Sequence, residues 1–224
     1  MDEKTQGIVL KLIDYKDADK LASIFTLDYG VLTAKFVGVK KEKAKLKAVA
    51  QPFTFADFNF TKRANNRVVA GANLIDNFYK LMADYNKTIC GYIVLDIIKS
   101  ILPEEKPEQD LFLLTISTFK SIEQNNEFVA VIDFILKFLN FSGLGVQLPQ
   151  TDYVYFDKLT ADFVTVKTEL CSQIDKQVYS TLTKIRAGII EDFNKNTLKQ
   201  ILRLLHNIIF IRFGFEIKSF EFLA

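Results

Sequence analysis

The first eighty residues change polarity in the two-residue rhythm of strands, and most of the rest follows the three-to-four-residue rhythm of helices. Residues 7–13 and 21–27 are apolar, β-prone runs, and Asp28-Tyr29-Gly30 reads as the turn after the second. Residues 31–39 put Leu32, Ala34, Phe36 and Gly38 on one parity and Val31, Thr33, Val37 and Val39 on the other. Two neighbouring strands joined by a tight Gly turn predict a meander. Residues 40–47 abandon the alternation and predict a long loop or one short helix. Pro52 opens a strand over 53–60, where its missing N–H is tolerated. The phase of that strand slips by one between Phe53 and Phe55 and the later pair Phe58 and Phe60. A β-bulge around Ala56-Asp57 would return both pairs to one face. Asn65-Asn66 marks a turn, and 67–74 is a fifth strand.

From residue 76 the period lengthens. Phe78, Leu81, Met82, Tyr85, Ile89, Ile93 and Ile97 predict two helices or one kinked helix over 76–102, broken by Pro103 to Pro107. Residues 111–122 predict the next helix. Asn125-Asn126 can cap another, with Phe128, Val131, Ile132, Ile135 and Leu139 at helical spacing, ended by Gly143 and Gly145. Residues 151–168 revert to β character and predict a hairpin with a longer loop. Two helices follow, over 172–188 and, from a cap at Asn196, to 213. The expected fold is α+β. A five-stranded, OB-fold-sized barrel over 1–80 precedes a mainly α-helical domain over 81–224, with a β-hairpin insertion at about 151–168.

Composition narrows the class without changing this picture. In 224 residues, 49% are hydrophobic and 25% charged, which is ordinary for a globular protein. Met1-Asp2-Glu3-Lys4 has no apolar run behind it, so no secretory signal is expected, and charges interrupt each longer apolar run. Cys90 and Cys171 are too few for a disulfide framework. The expected compartment is the cytoplasm.

Charge is more informative when read locally. The net +2 divides into +5 over residues 1–80 and −3 over the remainder. Lys35, Lys40, Lys41, Lys43, Lys45 and Lys47 fall close together, opposed only by Glu42, and Lys62, Arg63 and Arg67 form a second group. A basic loop on a balanced protein is a candidate polyanion contact. The plainer account is a solvated loop in a chain that uses 24 Lys to 5 Arg.

Catalytic chemistry finds no purchase. There is no G-x-S-x-G, H-E-x-x-H, Walker A loop or dinucleotide fingerprint, and the cysteines cannot build a zinc site at the usual spacings. The one imidazole, His206, shares a helical face with Lys199 and Arg203. That face is either a small basic rim for a carboxylate or phosphate, or the solvated side of the last helix. No catalytic residue and no metal ligand is assigned, and the chain is not expected to be an enzyme.

The order of motifs resembles the RecO family of bacterial recombination mediators. Gly7-Ile8-Val9-Leu10, Tyr15 to Leu21, Ile24-Phe25-Thr26, Tyr29-Gly30, Gly38-Val39-Lys40-Lys41, Leu46 and Gln51-Pro52-Phe53 resemble its N-terminal pattern. Leu102-Pro103-Glu104-Glu105 and the closing Arg212-Phe213-Gly214-Phe215, Lys218-Ser219 and Phe222-Leu223 continue it, so the resemblance spans the chain. It implies an OB-fold followed by a helical domain and no hydrolytic site. It also implies binding of single- and double-stranded DNA, strand annealing and a nucleoid-associated place in the cytoplasm. The implied partners are RecR, the C-terminal tail of single-strand-binding protein and, indirectly, RecA. Many members carry a four-Cys zinc module after the position of Gly145; only Cys171 stands there, so no zinc is expected, and Tyr153, Tyr155, Phe156 and Phe163 would serve as an apolar staple. DNA contacts are expected at Lys40, Lys41, Lys43, Lys45 and Lys47, extended by Lys35, Arg63 and Arg67. A partner rim is expected at Lys199, Arg203 and His206. Two other readings are a protein-interaction adaptor whose barrel is a scaffold, and an RNA- or tRNA-binding barrel.

Overall fold

The computed structural model describes residues 2–63, 66–151, 154–189 and 191–223; Asn65, Tyr153 and the side chain of Arg63 lie outside the described residues. Strands β1 (Asp2–Tyr15), β2 (Asp19–Thr26), β3 (Gly30–Phe36), β4 (Phe55–Arg63) and β5 (Asn66–Asp76) close into a barrel in the order β1-β2-β3-β5-β4. Every pairing is antiparallel except β3 with β5. The β1–β2–β3 meander is as expected, and it turns at Gly30. There φ is +69°, and a Cβ would meet the backbone oxygen of Lys106 at 2.2 Å, so only glycine fits. Closure removes the sheet edges, and alternation then gives each strand an inner and an outer face.

The barrel interior is filled by Val9, Ile24, Leu32, Phe36, Phe58 and Phe60 among others. Here one expectation is corrected. The two Phe pairs are not on one face. Phe58 and Phe60 stack inside the barrel at 5.6 Å, whereas Phe55 packs edge-on against Phe112 at 6.1 Å and Phe53 against Phe119 at 5.7 Å. The strand is apolar on both sides because it separates two cores. The pairing of β4 with β5 does shift at Phe55/Ala56, and again at Asn59/Phe60.

Six helices follow: α1 (Tyr79–Met82), α2 (Tyr85–Ile101), α3 (Gln109–Gln124), α4 (Glu127–Phe141), α5 (Lys176–Arg186) and α6 (Lys195–Phe213). By packing the chain forms two units. One comprises Met1–Asp84 with Leu95–Phe119, the other Tyr85–Val94 with Lys120–Ala224. The barrel unit thus takes in residues well beyond 80. Phe112 on α3 sits edge-on to Phe25 at 5.4 Å, and Phe119 lies against Phe78 at 5.2 Å.

In the second unit α4 is buried on most sides and is capped by Asn126, whose side chain accepts from the N–H groups of Phe128 and Val129. Two predicted helix starts move. Residues 171–173 are a strand, so α5 begins at Lys176 under an Asp175 cap. The last helix is capped by Asn194, two residues before the expected Asn196. The predicted hairpin is β6 (Tyr155–Asp157) with β7 (Asp162–Val164), and β8 (Cys171–Gln173) adds a third strand on the other side of β6. Phe156 and Phe163 are buried and meet at 5.8 Å, and Phe163 lies 5.7 Å from Tyr179. Arg212 donates to the carbonyls of Leu144 and Ala161 and to the Asp162 carboxylate, which gives this closing-motif residue a structural task. Arg212→Ala should therefore lower the thermal midpoint of the full chain, while Arg212→Lys restores only part of it, because a single ammonium cannot span all of the guanidinium's partners, which also include the Gly145 carbonyl.

Candidate nucleic-acid interface

The Lys-rich connection is neither a free loop nor a helix. Successive turns close it, with Lys41 N–H donating to Gly38, Ala44 to Lys41 and Lys47 to Ala44. Val39, Val49 and Ala50 are buried in the barrel core, and Leu46 packs against it. The apolar positions pin the segment to the barrel, and Lys40, Lys41, Lys43, Lys45 and Lys47 all face solvent. The result is an array of ammonium groups on an anchored frame, which loses less entropy on binding than a disordered tail. Lys40 pairs with Asp14 at 3.0 Å and holds that carboxyl below its ordinary range. The pair is exposed and weak enough to yield to a phosphate.

Lys35 projects from β3 beside this array, with its ammonium 4.7 Å from the centre of the Tyr15 ring. Lys16, in the β1–β2 turn at φ +54°, lies 5.5 Å from the same ring. Tyr15 and Lys16 were not singled out from sequence as interface residues. The available signal was parity: Lys11, Ile13 and Tyr15 alternate with the inward Leu12. A phenol among cations is a suitable surface for a stacked base.

Arg67 is a correction. Its side chain is 7% exposed, bonded to Glu3 through Nε at 2.7 Å and to Glu105 through Nη1. Its hydrogen bond holds the Glu3 carboxyl below the usual range against an opposing push from burial. Arg67 is a structural tie within the barrel unit, not an exposed phosphate contact. The expected contact at Arg63 falls on a side chain outside the described residues.

In the second unit, Arg203 is exposed, Lys199 is half-buried with its ammonium 6.0 Å from the Phe128 ring centre, and His206 stacks on Phe220 at 4.4 Å. His206 Nε2 is buried without a hydrogen-bond partner among the described residues. Burial lowers the pKa of this imidazole, against smaller opposing pulls from Glu216 and Glu221. The face is therefore a rim of two cations, with the ring turned to packing. A base whose folded pKa is lowered contributes stability above its unfolded pKa of about 6.5, and that stability is lost as pH falls. His206→Phe should flatten the drop in thermal midpoint between about pH 7 and pH 5.5, as read by thermal scans of both proteins.

A four-thiolate zinc module does not fit the residues present. Cys171 lies against Thr168 Oγ1 at 3.1 Å, Cys90 is buried, and no group of three His, Cys, Asp or Glu suited to a metal occurs among the described residues. Among the same residues, no helix is long and apolar enough to cross a membrane.

Residues 1–78 match the family model described as recombination protein O N terminal, and residues 82–219 match the one described as recombination protein O C terminal. Curated relatives named DNA repair protein RecO align over most of both chains. That of Caldicellulosiruptor bescii is 25% identical over 211 residues, covering 89% of this chain and 86% of the relative. That of Caldicellulosiruptor saccharolyticus is 23% identical, covering 92% and 88%, and that of Clostridium acetobutylicum is 25% identical, covering 90% and 83%.

Proposed function

Since the chain belongs to the RecO family, whose curated members are named as DNA repair proteins, we propose that it is a non-enzymatic recombination mediator that binds single- and double-stranded DNA on its barrel. The family gives the role in DNA repair and recombination. The observation that supports the DNA-binding reading is the anchored array of Lys40, Lys41, Lys43, Lys45 and Lys47, whose apolar neighbours are fixed in the core. Lys35 extends it, and Tyr15 supplies a stacking surface. Such an array neutralises phosphates without reading bases, so binding is salt-sensitive and sequence-tolerant. Two strands whose charge is neutralised repel each other less, and annealing then needs no active-site base. RecR, the tail of single-strand-binding protein and, through them, RecA are the proposed partners. The protein works without zinc, its small sheet being held by Phe156 and Phe163; stoichiometric zinc in metal analysis of the pure protein would refute that.

The test is annealing of complementary oligonucleotides. Wild-type protein should accelerate it, and replacement of the five loop lysines by Ala should remove about tenfold or more of the acceleration. Unchanged annealing by that variant would overturn the mechanism.

A second reading, an adaptor that docks a protein partner on the helical unit, is favoured by one observation. Phe210, one turn beyond His206 on the face of Lys199 and Arg203, is 53% exposed. An apolar side chain beside two cations suits an acidic peptide with an apolar end. Lys199→Glu with Arg203→Glu should abolish binding of such a peptide, measured by calorimetry, and leave DNA affinity intact.

A further inference from the structure

The outer face of β1–β2–β3 carries a second group of cations away from the lysine array. A β-bulge between Val9 and Lys11 resets the phase of β1. Lys11, Ile13 and Tyr15 then point outward while Leu12 packs inward. Lys11 pairs with Ser23, Ile13 with Leu21, and Tyr15 with Asp19; across β2, Ser23 pairs with Thr33 and Leu21 with Lys35. These rows form one continuous face from Lys11 to the Tyr15–Lys35 contact, about 13 Å along β1 at about 3.3 Å per residue. At the Lys11 end lies a cavity of about 280 Å³, also lined by Ile13, Leu21, Leu102, Lys99 and Glu104.

We propose that Lys11 and Lys99 form a phosphate clamp for a nucleic-acid strand, at the far end of a path that starts on the lysine array and crosses the outer face of β1–β2–β3. This inference rests on the DNA-binding reading and adds its route. Lys11 and Lys99 line the same cavity. Two cations this close repel, and the fold holds them together with only Asp96 pulling Lys99 the other way. Neither forms an ion pair among the described residues, although Glu104 lines the same cavity. They therefore remain available to an incoming anion. Burial first, and Lys11 second, push the Lys99 pKa below the ordinary lysine value, a strain that a phosphodiester between them would relieve. Ile13, 52% exposed, lies between the clamp and Tyr15 and offers an apolar contact for a base or sugar. Continuity with Lys35 and Tyr15 favours a strand over a peptide as the occupant.

The experiment uses the full chain and fluorescein-labelled oligo(dT) across a salt series. Lys11→Gln with Lys99→Gln should flatten the log–log salt slope by about 1.4, for two phosphate contacts at about 0.7 each. Lys11→Arg with Lys99→Arg should keep the wild-type slope, which separates charge from packing. A lysine side-chain NMR titration gives an independent reading. Oligo(dT) should raise the apparent pKa of Lys99, and inorganic phosphate at the same phosphate concentration should not. A wild-type slope in the Gln variant, with a flattened slope in the loop variant, would overturn the clamp and leave the DNA-binding reading standing. Wild-type slopes in both would overturn both. An acidic peptide that perturbs Lys11 and Lys99 where oligo(dT) does not would reassign the cavity to a protein partner.

Discussion

Arg67→Met should lower the stability of the chain by about 3 kcal/mol and leave both DNA affinity and its salt dependence at wild-type values. The guanidinium joins strand β5 to Glu3 on β1 and to Glu105, partners 64 and 38 residues away in sequence. Removing it strands the Glu3 carboxylate, whose side chain is 13% exposed, beside only the more distant Lys62 at 3.6 Å. A buried charge that loses its partner costs more than the pair contributed, because desolvation is no longer offset. The Glu3 carboxyl is held below its ordinary pKa, so the stability it contributes is present above about pH 4.5 and lost as pH falls further. The variant should therefore lose most of its deficit in acid, where wild type also loses the pair. Urea unfolding at neutral and acidic pH measures this, and anisotropy on the same samples checks the DNA side. A variant of normal stability with weakened DNA binding would return Arg67 to the interface.

Phe112→Ala should cost about 3–5 kcal/mol, the range for deleting a fully buried ring. Phe112 is 0% exposed and meets Phe25 at 5.4 Å and Phe55 at 6.1 Å, both edge-on. The cavity would open between α3 and the outward side of β4, where no small shift can fill a ring's volume. Denaturant unfolding should show a lower midpoint at an unchanged slope. The result bears on where the barrel unit ends. If residues 95–119 were external to it, the same substitution would leave barrel strands protected in hydrogen exchange; the packing predicts faster exchange in β2 and β4.

These two residues also show where sequence reading stops. The barrel was legible because its strands alternate and are punctuated by Gly30 and the Asp28-Tyr29 turn. Alternation, however, says only that a residue is buried, not in which of two cores. Phe53 and Phe55 differ from Phe58 and Phe60 only through Phe112 and Phe119, far along the chain. The lysine array was legible because consecutive charges leave solvent as their simplest environment. Arg67 read the same way, since nothing local announces that Glu3 and Glu105 converge on it. The start of α5 was misplaced because residues 171–173 are a strand only through pairing with β6. Asn194 and Asn196 are equivalent caps in sequence, and the geometry of the entering chain selects the first. The Lys11–Lys99 pair joins a strand to a helix across 88 positions and has no local signature.

The measurement that bears most directly on the central claim is anisotropy on labelled single-stranded DNA across a salt series. It compares wild type with the variant carrying Ala at Lys40, Lys41, Lys43, Lys45 and Lys47. Four or five phosphate contacts at about 0.7 each predict that the log–log slope flattens by about three and that affinity falls most at low salt. Equal slopes and equal affinities in the two proteins would contradict DNA binding by the lysine array on the barrel.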